Sequence, residues 1–251
     1  MAKHRRKKWR VYQLLVATGS VKSKEEAAEL AHTGKITVNG DVMLSLFYQV
    51  HPFKDDVRVN GKKIELKENR GYFALNKPEG LDTTKMNMLK FIRGKVPEQD
   101  FFSYTPVGRL DRNTTGLIII TNDGRLVRRV LSPLTKRTKV YRAVVQGKVT
   151  EEEADKLRKG IEIILEDDEG TRPYTTMPAQ IRILHATPHE SEIEISIIEG
   201  KKRQVRKMCR AVNHPVRQLK RISIAKLQLG TLKERQVKEY SKEDIYRLLF
   251  E

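Results

Sequence analysis

Apolar and polar residues repeat along this chain with two different periods, and the changes of period mark its elements. Near the N-terminus Val11, Leu14, Leu15 and Val16 recur at helical spacing and predict a short helix ending near Gly19. Ser23 followed by Glu26 is the capping-box signature of a second helix, with Ala27, Leu30 and Ala31 on its inner face and Gly34 as its stop. The period then drops to two. Ile36-Thr37-Val38, Asn39-Gly40 and Asp41-Val42-Met43 read as strand, tight turn and strand, and Val57-Arg58-Val59, Asn60-Gly61 and Lys62-Lys63-Ile64 repeat the pattern. Lys67–Gly71 is polar and charged and fits a linker.

Beyond the linker, Tyr72–Asn76 predicts a strand running into the turn Lys77-Pro78-Glu79-Gly80. Leu117–Thr121 is continuously apolar, the pattern of a strand covered on both faces. Thr150 and Glu153 open a helix over Glu151–Lys159, and Gly160 stops it. Ile161–Leu165, Ala179–Leu184 and Ile193–Ile198 have strand character; the alternation in Glu192–Ile197 suits a half-exposed strand, and Glu166–Gly170 an acidic hairpin tip. Ser241 and Asp244 open a terminal helix over Lys242–Phe250. Helices and strands mix without a strict βαβ rhythm, so the fold class is α+β. The chain divides into a basic arm over 1–10, a small α-β domain over 11–68 and a larger domain over 71–251.

Charge narrows the class of partner. Fifty Lys+Arg against 32 Asp+Glu give a net charge of +18, a field that attracts polyanions and makes their binding salt-sensitive. The arm holds six basic residues and no acid, Arg5, Arg6, Lys7 and Lys8 among them. Gly124–Thr150 holds eight and no acid, including Arg125, Arg128 and Arg129 on one expected helix, and Lys201–Arg221 holds nine and no acid, beginning with Lys201 and Lys202. Acid-free runs of this kind favour a phosphate-lined cleft over a merely solvated face; an anionic membrane surface is the competing partner. The single cysteine, Cys209, excludes an internal disulfide framework and reads as a small buried residue. The basic start lacks the apolar core of a secretory signal and no apolar run reaches spanning length, so the expected location is the cytoplasm. No Gly-rich loop ends in Gly-Lys-Ser or Gly-Lys-Thr, which argues against a nucleotide cofactor. His185 and His189 flank Pro188 without cysteines, which argues against a metal site.

The chemically informative run is Gly108-Arg109-Leu110-Asp111-Arg112-Asn113-Thr114-Thr115-Gly116, feeding Leu117-Ile118-Ile119-Ile120-Thr121-Asn122-Asp123-Gly124. It holds one carboxylate between two guanidinium groups on a loop backed by a core strand, the setting of an ionised nucleophile. On its residues alone, an Asp in a loop is far more often a cap or a salt-bridge partner than a nucleophile.

This run resembles the signature of the RsuA family of pseudouridine synthases: Gly-Arg-Leu-Asp, two variable positions, Thr, one variable position, Gly, an aliphatic run, then Thr-Asn-Asp-Gly. Three further stretches resemble the family in order: Asn76-Lys77-Pro78-Glu79-Gly80, Lys139-Val140-Tyr141-Arg142-Ala143, and Gly200-Lys201-Lys202-Arg203-Gln204-Val205-Arg206-Lys207-Met208, followed by His214–Arg221. Gly34–Gly40 and Asp55–Gly61 are similar to the S4-type RNA-binding domain, which implies a helical pair contacting structured RNA, with Lys22 and Lys24 among its cations.

The resemblance implies a mixed, mostly antiparallel sheet with a central basic cleft and a monomer that isomerises uridine in ribosomal RNA, large-subunit RNA before small-subunit RNA or tRNA. The substrate is naked RNA or a ribosome-assembly intermediate, and no cofactor is required. It makes Asp111 the catalytic aspartate, Tyr141 the residue that stacks on the uracil, and Arg206 the ion-pair partner of Asp111, with Arg203 its rival. Arg109 and Arg112 would hold phosphates and Leu219 would line the uracil pocket. Gln218 departs from a common arginine and Ala225 from a common glycine, and Leu81-Asp82-Thr83 is an unusual continuation of the Pro-Glu-Gly turn. The competing function is a non-catalytic RNA-binding assembly factor using the same basic surfaces.

Overall fold

The computed structural model describes residues 8–52, 54–65, 70–167 and 170–251. The chain divides into two compact units, Met1–Asn69 and Arg70–Glu251. Arg5, Arg6 and Lys7 of the expected arm, and most of the expected linker, lie outside the described residues.

The N-terminal unit contains β1 (Trp9–Arg10), α1 (Val11–Ala17), α2 (Lys24–His32), β2 (Ile36–Val38), β3 (Asp41–Val42), β4 (Gln49–Val50), β5 (Val57–Val59) and β6 (Lys62–Lys63). The arm expected over 1–10 ends earlier, because Trp9 and Arg10 pair with Val50 and Gln49. Ser23 accepts from the Glu26 amide at 3.1 Å as a cap should, but Glu26 reaches one residue further back than a capping box requires and accepts from the Lys22 amide at 2.7 Å. Both Asn-Gly turns have positive φ at each position, which makes them tight two-residue hairpins. Their strands bury Ile36, Val38, Val57 and Val59 against Leu14, Leu15, Ala27 and Ala31. Lys8, Lys22 and Lys24 are exposed.

The larger unit runs β7 (Tyr72–Lys77), α3 (Lys85–Leu89), β8 (Thr105–Pro106), β9 (Thr115–Thr121), α4 (Gly124–Leu131), β10 (Lys139–Gln146), α5 (Glu151–Lys159), β11 (Glu162–Asp167), β12 (Gly170–Thr175), β13 (Gln180–Ala186), β14 (Glu190–Ile197), α6 (Gln204–Ala211), β15 (Val216–Ile224), β16 (Leu227–Gln228), β17 (Val237–Tyr240) and α7 (Lys242–Phe250). Its main sheet follows the path β13-β14-β10-β15-β9-β7-β17, antiparallel except where β15 meets β9. This is the expected α+β class with a mixed, mostly antiparallel sheet.

The hydropathy patterns follow from how many faces are covered. On β7 and β9, Phe73, Leu75, Ile118 and Ile120 enter one core while Tyr72, Ala74, Leu117 and Ile119 enter another, so both strands read as unbroken apolar runs. On β10 and β14 only one face is buried, by Tyr141, Ala143, Val145, Ile193, Ile195 and Ile197. The opposite face carries charge pairs, Arg142 with Glu192 at 3.4 Å and Arg182 of β13 with Glu194 at 3.3 Å. The Thr150–Glu153 capping box forms as expected, and Ser241 caps α7 by accepting from the Asp244 amide.

Gly116 makes the parallel joint possible. Its φ is +102°, and a Cβ placed there would meet the Arg221 carbonyl oxygen at 2.2 Å and the Arg221 nitrogen at 2.7 Å. Only a residue without a side chain lets β15 approach β9 so closely. Asp123, at the end of β9, ties the second face together. One carboxylate oxygen caps α4 by accepting from the Arg125 amide at 2.9 Å and pairs with Arg70 at 3.2 Å. The other accepts from the hydroxyls of Tyr72 at 3.0 Å and Tyr246 at 2.7 Å.

Candidate active site

Asp111 sits on the loop between β8 and β9, where the chain leaves the core before entering a strand buried from Gly116 to Thr121. Leu110 is buried in the core while Asp111 is half-buried at the surface of the loop. The Asp111 carbonyl accepts from the Thr114 amide at 3.0 Å, closing a tight turn. Two hollows meet at this residue. One, of about 500 Å³, is lined by Asp111, Arg109, Lys139, Tyr141, Leu219 and Arg221 among others. The other, of about 530 Å³, is lined by Glu79, Thr83, Arg109, Asp111, Arg112 and Arg203 among others.

Strand alternation puts the cleft residues on one face. Tyr141 is directly opposite Arg221 and Ala143 opposite Leu219, so Tyr141 and Leu219 converge on the first of these hollows from neighbouring strands. Lys139 reaches the same hollow two residues before Tyr141, and Arg221 two residues after Leu219. Neither was singled out from the sequence, although the i, i+2 rule applied to Tyr141 and Leu219 points to both. Burial, reinforced by the Arg221 charge, depresses the Lys139 pKa.

Of the two arginines of the third motif, Arg203, the rival, and not Arg206 lies against the Asp111 carboxylate. Arg206 does not contact the Asp111 carboxylate. It is buried on α6, and its guanidinium donates to the carbonyls of Asn113 at 2.7 Å and Val216 at 3.1 Å, so it fastens the end of the Asp111 turn to the start of β15. Burial and the nearby Arg203 depress its pKa, while the Asp111 charge acts in the opposite sense. Arg203 stands at the N-cap of α6 with φ +55°, and its guanidinium reaches the Asp111 carboxylate at 4.0 Å, a loose pair. The difference is one of direction: Arg206 points inward from the helix, whereas Arg203 precedes the helix and its left-handed backbone turns it toward the loop.

The remaining cations divide into free and tethered groups. Arg109 and Lys202 are exposed and line the hollow that holds Tyr141; Lys201 is exposed there too, but its Nζ lies 4.8 Å from the centre of the Tyr174 ring. Arg128 is exposed on α4. Arg112 is also exposed, but its Nε donates to the Gly80 carbonyl at 3.1 Å. Arg129 lays its guanidinium 3.9 Å from the centre of the Phe250 ring, which holds it against α7 while leaving it charged. Cys209 is fully buried, and burial pushes its thiol up to about 12, which removes it from nucleophilic chemistry.

Comparison with known proteins decides what this arrangement belongs to. Residues 71–211 match the RNA pseudouridylate synthase family. An RNA pseudouridine synthase of Aquifex aeolicus is 36% identical over 95% of this chain and 93% of its own length. The chain belongs to this family. The synthase is also 35% identical to the ribosomal large subunit pseudouridine synthase B of Bacillus subtilis, over 94% of each chain. It is 32% identical to the ribosomal small subunit pseudouridine synthase A of Vibrio vulnificus, over 82% of this chain and 85% of that one. A crystal structure of a pseudouridylate synthase superposes with a TM-score of 0.62, covering 96% of the synthase and 99% of that chain at 24% identity, which shows the shared fold.

Proposed function

We propose that this synthase isomerises a uridine of ribosomal RNA, with large-subunit RNA as its substrate class and Asp111 as its nucleophile. The observation that carries the reading is the placement of Asp111 at the meeting of two hollows, facing a cleft walled by Tyr141 and Leu219 and rimmed by exposed cations. Large-subunit RNA is preferred because the Bacillus relative aligns over more of both chains than the Vibrio relative does.

The reaction breaks the N1–C1′ bond, turns the uracil and joins C1′ to C5; N1 gains a proton and the C5 proton leaves to solvent. Atoms balance within the nucleotide, so neither oxidant nor energy source is consumed. The protein must extrude the base, hold it while detached and supply one carboxylate. Tyr141 offers a ring for the uracil face, and Leu219 an apolar wall that keeps water from the detached base. Arg109, Lys201 and Lys202 hold the flanking phosphates, and Arg128 extends that surface along α4. Arg203 orients the carboxylate of Asp111 without covering it, since at 4.0 Å the pair leaves the oxygens accessible. Arg206 keeps the loop in place from below. In the N-terminal unit, Lys8, Lys22 and Lys24 belong to an S4-type surface that holds structured RNA, and the enzyme acts as a monomer without a cofactor.

Tritium released from C5-labelled ribosomal RNA measures turnover directly. Wild-type protein releases it, and Asp111→Asn, which keeps the side-chain volume but removes the charge, releases none while still binding RNA. Retained turnover in that variant would remove Asp111 from the nucleophile role. Absence of release by wild-type protein on ribosomal transcripts and on assembly intermediates would refute the substrate class.

A further inference from the structure

The turn after β7 does more than connect strands. The Thr83 hydroxyl accepts from the Leu110 amide at 3.0 Å and donates to the Leu110 carbonyl at 2.7 Å. A single side-chain oxygen, 27 residues away in sequence, therefore engages both backbone groups of the residue before Asp111. On the other side, the Gly80 amide donates to the Arg112 carbonyl at 2.9 Å, and Arg112 Nε returns a bond to the Gly80 carbonyl. The residues immediately before and after Asp111 are thus docked on the same turn.

Thr83 is itself firmly held. Thr84 caps α3 by accepting from the Asn87 amide at 3.2 Å, and the Asp82 carbonyl accepts from the Asn87 side chain and the Thr84 amide. Behind them Met88 and Leu89 are fully buried. Leu110 is only 5% exposed, so water has little access to replace the Thr83 hydroxyl if it is removed. The stretch Leu81-Asp82-Thr83, unusual as a continuation of the Pro-Glu-Gly turn, supplies the contact that aims the catalytic loop.

We propose that Thr83 is a positioning residue for the isomerisation, its hydroxyl setting the direction in which Asp111 leaves the loop. The inference rests on the reading of Asp111 as nucleophile. A misplacement of about 1 Å at a reacting group is enough to lower turnover by orders of magnitude, so the clamp acts on kcat. RNA binding draws on the exposed cations and does not pass through Thr83.

The test compares wild-type protein with Thr83→Val, Thr83→Ser and Thr83→Ala, measuring tritium release and hydrogen exchange of the Leu110 amide. Thr83→Val keeps the branched shape without the hydroxyl; Thr83→Ala removes the hydroxyl without placing a methyl group against the Leu110 carbonyl, and serves if the valine variant fails to fold. Loss of the hydroxyl is expected to speed Leu110 exchange by about tenfold or more and to lower kcat by about tenfold or more, with KM for RNA within about twofold. Thr83→Ser is expected to restore both readouts to within about threefold of wild type, because the hydroxyl is retained. Unchanged Leu110 exchange overturns the clamp. Faster exchange with unchanged kcat makes the contact purely structural and overturns the positioning role. Equal loss in the serine and valine variants shows that the hydroxyl is not the agent and also overturns it. If wild-type protein released no tritium from ribosomal RNA, the substrate reading would fail, whereas the clamp would still be judged by Leu110 exchange.

Discussion

Replacing Gly116 by alanine perturbs the parallel joint between β15 and β9. The added Cβ would lie 2.2 Å from the Arg221 carbonyl oxygen, 2.7 Å from its nitrogen and 3.0 Å from its carbonyl carbon. All three atoms are backbone, so relief requires a strand to move. The φ of +102° adds strain of roughly 1–3 kcal/mol for any residue with a side chain. Displacing β15 also weakens the register Lys220–Thr115 and Arg221–Gly116 and the bond from Arg221 Nε to the Leu117 carbonyl at 2.8 Å, each such bond contributing about 1 kcal/mol net. The combined loss is about 3–5 kcal/mol, a large part of the 5–15 kcal/mol typical of a domain. For a unit of this size that corresponds to a fall in Tm of roughly 6–20 °C. Thermal unfolding followed by circular dichroism measures it, with Gly124→Ala as the control: Gly124 has no atom within 4 Å of its would-be Cβ and opens α4, so its variant should match or slightly exceed wild-type stability. A Gly116→Ala protein melting within about 2 °C of wild type would refute the argument from close approach.

Other perturbations separate structural from chemical roles. Ala225 has φ +49° in the turn between β15 and β16, so Ala225→Gly should raise stability by about 0.5–1 kcal/mol, visible as a small rise in Tm. Asp123→Asn should cost roughly 3 kcal/mol at neutral pH because it removes the charge that Arg70, the α4 amides and two tyrosine hydroxyls converge on. Burial alone would raise the Asp123 pKa, but the Tyr246 hydroxyl, the Arg125 amide, the Tyr72 hydroxyl and Arg70 together hold it below the ordinary 3.8. The stabilisation is therefore full above 3.8 and lost as pH falls through the lower folded-state value, so urea titrations of the two proteins should converge only in acid. A constant gap between them across that range would show that the carboxylate charge is not what Asp123 contributes.

Local signals in the sequence were reliable where one residue type meets one backbone need. The two Asn-Gly turns, the Thr150–Glu153 box and the Ser241 cap each depend on atoms within four residues, and each formed as read. Leu117–Thr121 was legible as a strand covered on both faces because its apolar run has no polar alternation. Glu26 shows the resolution of such reading: the cap at Ser23 was legible, but not that the carboxylate would choose the Lys22 amide. Which strands become neighbours was not legible, because alternation fixes a face and says nothing of the partner; the parallel meeting of β15 with β9 depends on the space left at Gly116. In the site, Asp111, Tyr141 and Leu219 were legible through their motifs and share one hollow. The division of labour between Arg203 and Arg206 was not, since it turns on a left-handed residue at a helix start and on the orientation of α6. Leu81-Asp82-Thr83 stood out as an unusual continuation of its turn, but the contact of Thr83 was not legible, because its partner lies 27 residues away.

The position of α7 has a consequence for how the synthase is made. Ile245 and Leu249 complete the core beneath Leu117 and Ile119, and Tyr246 bonds to the same carboxylate as Tyr72, the first residue of β7. The first strand and the last helix of the unit thus meet at Asp123. During synthesis α4 can bring Leu126 and Val130 to this face of β9 early, but Ile245 and Leu249 join it only once residues 242–250 have left the ribosome, so this half of the core is completed well after the strand itself is made. The strand that follows the loop of Asp111 is therefore seated in two stages, first by its sequence neighbour α4 and then by α7.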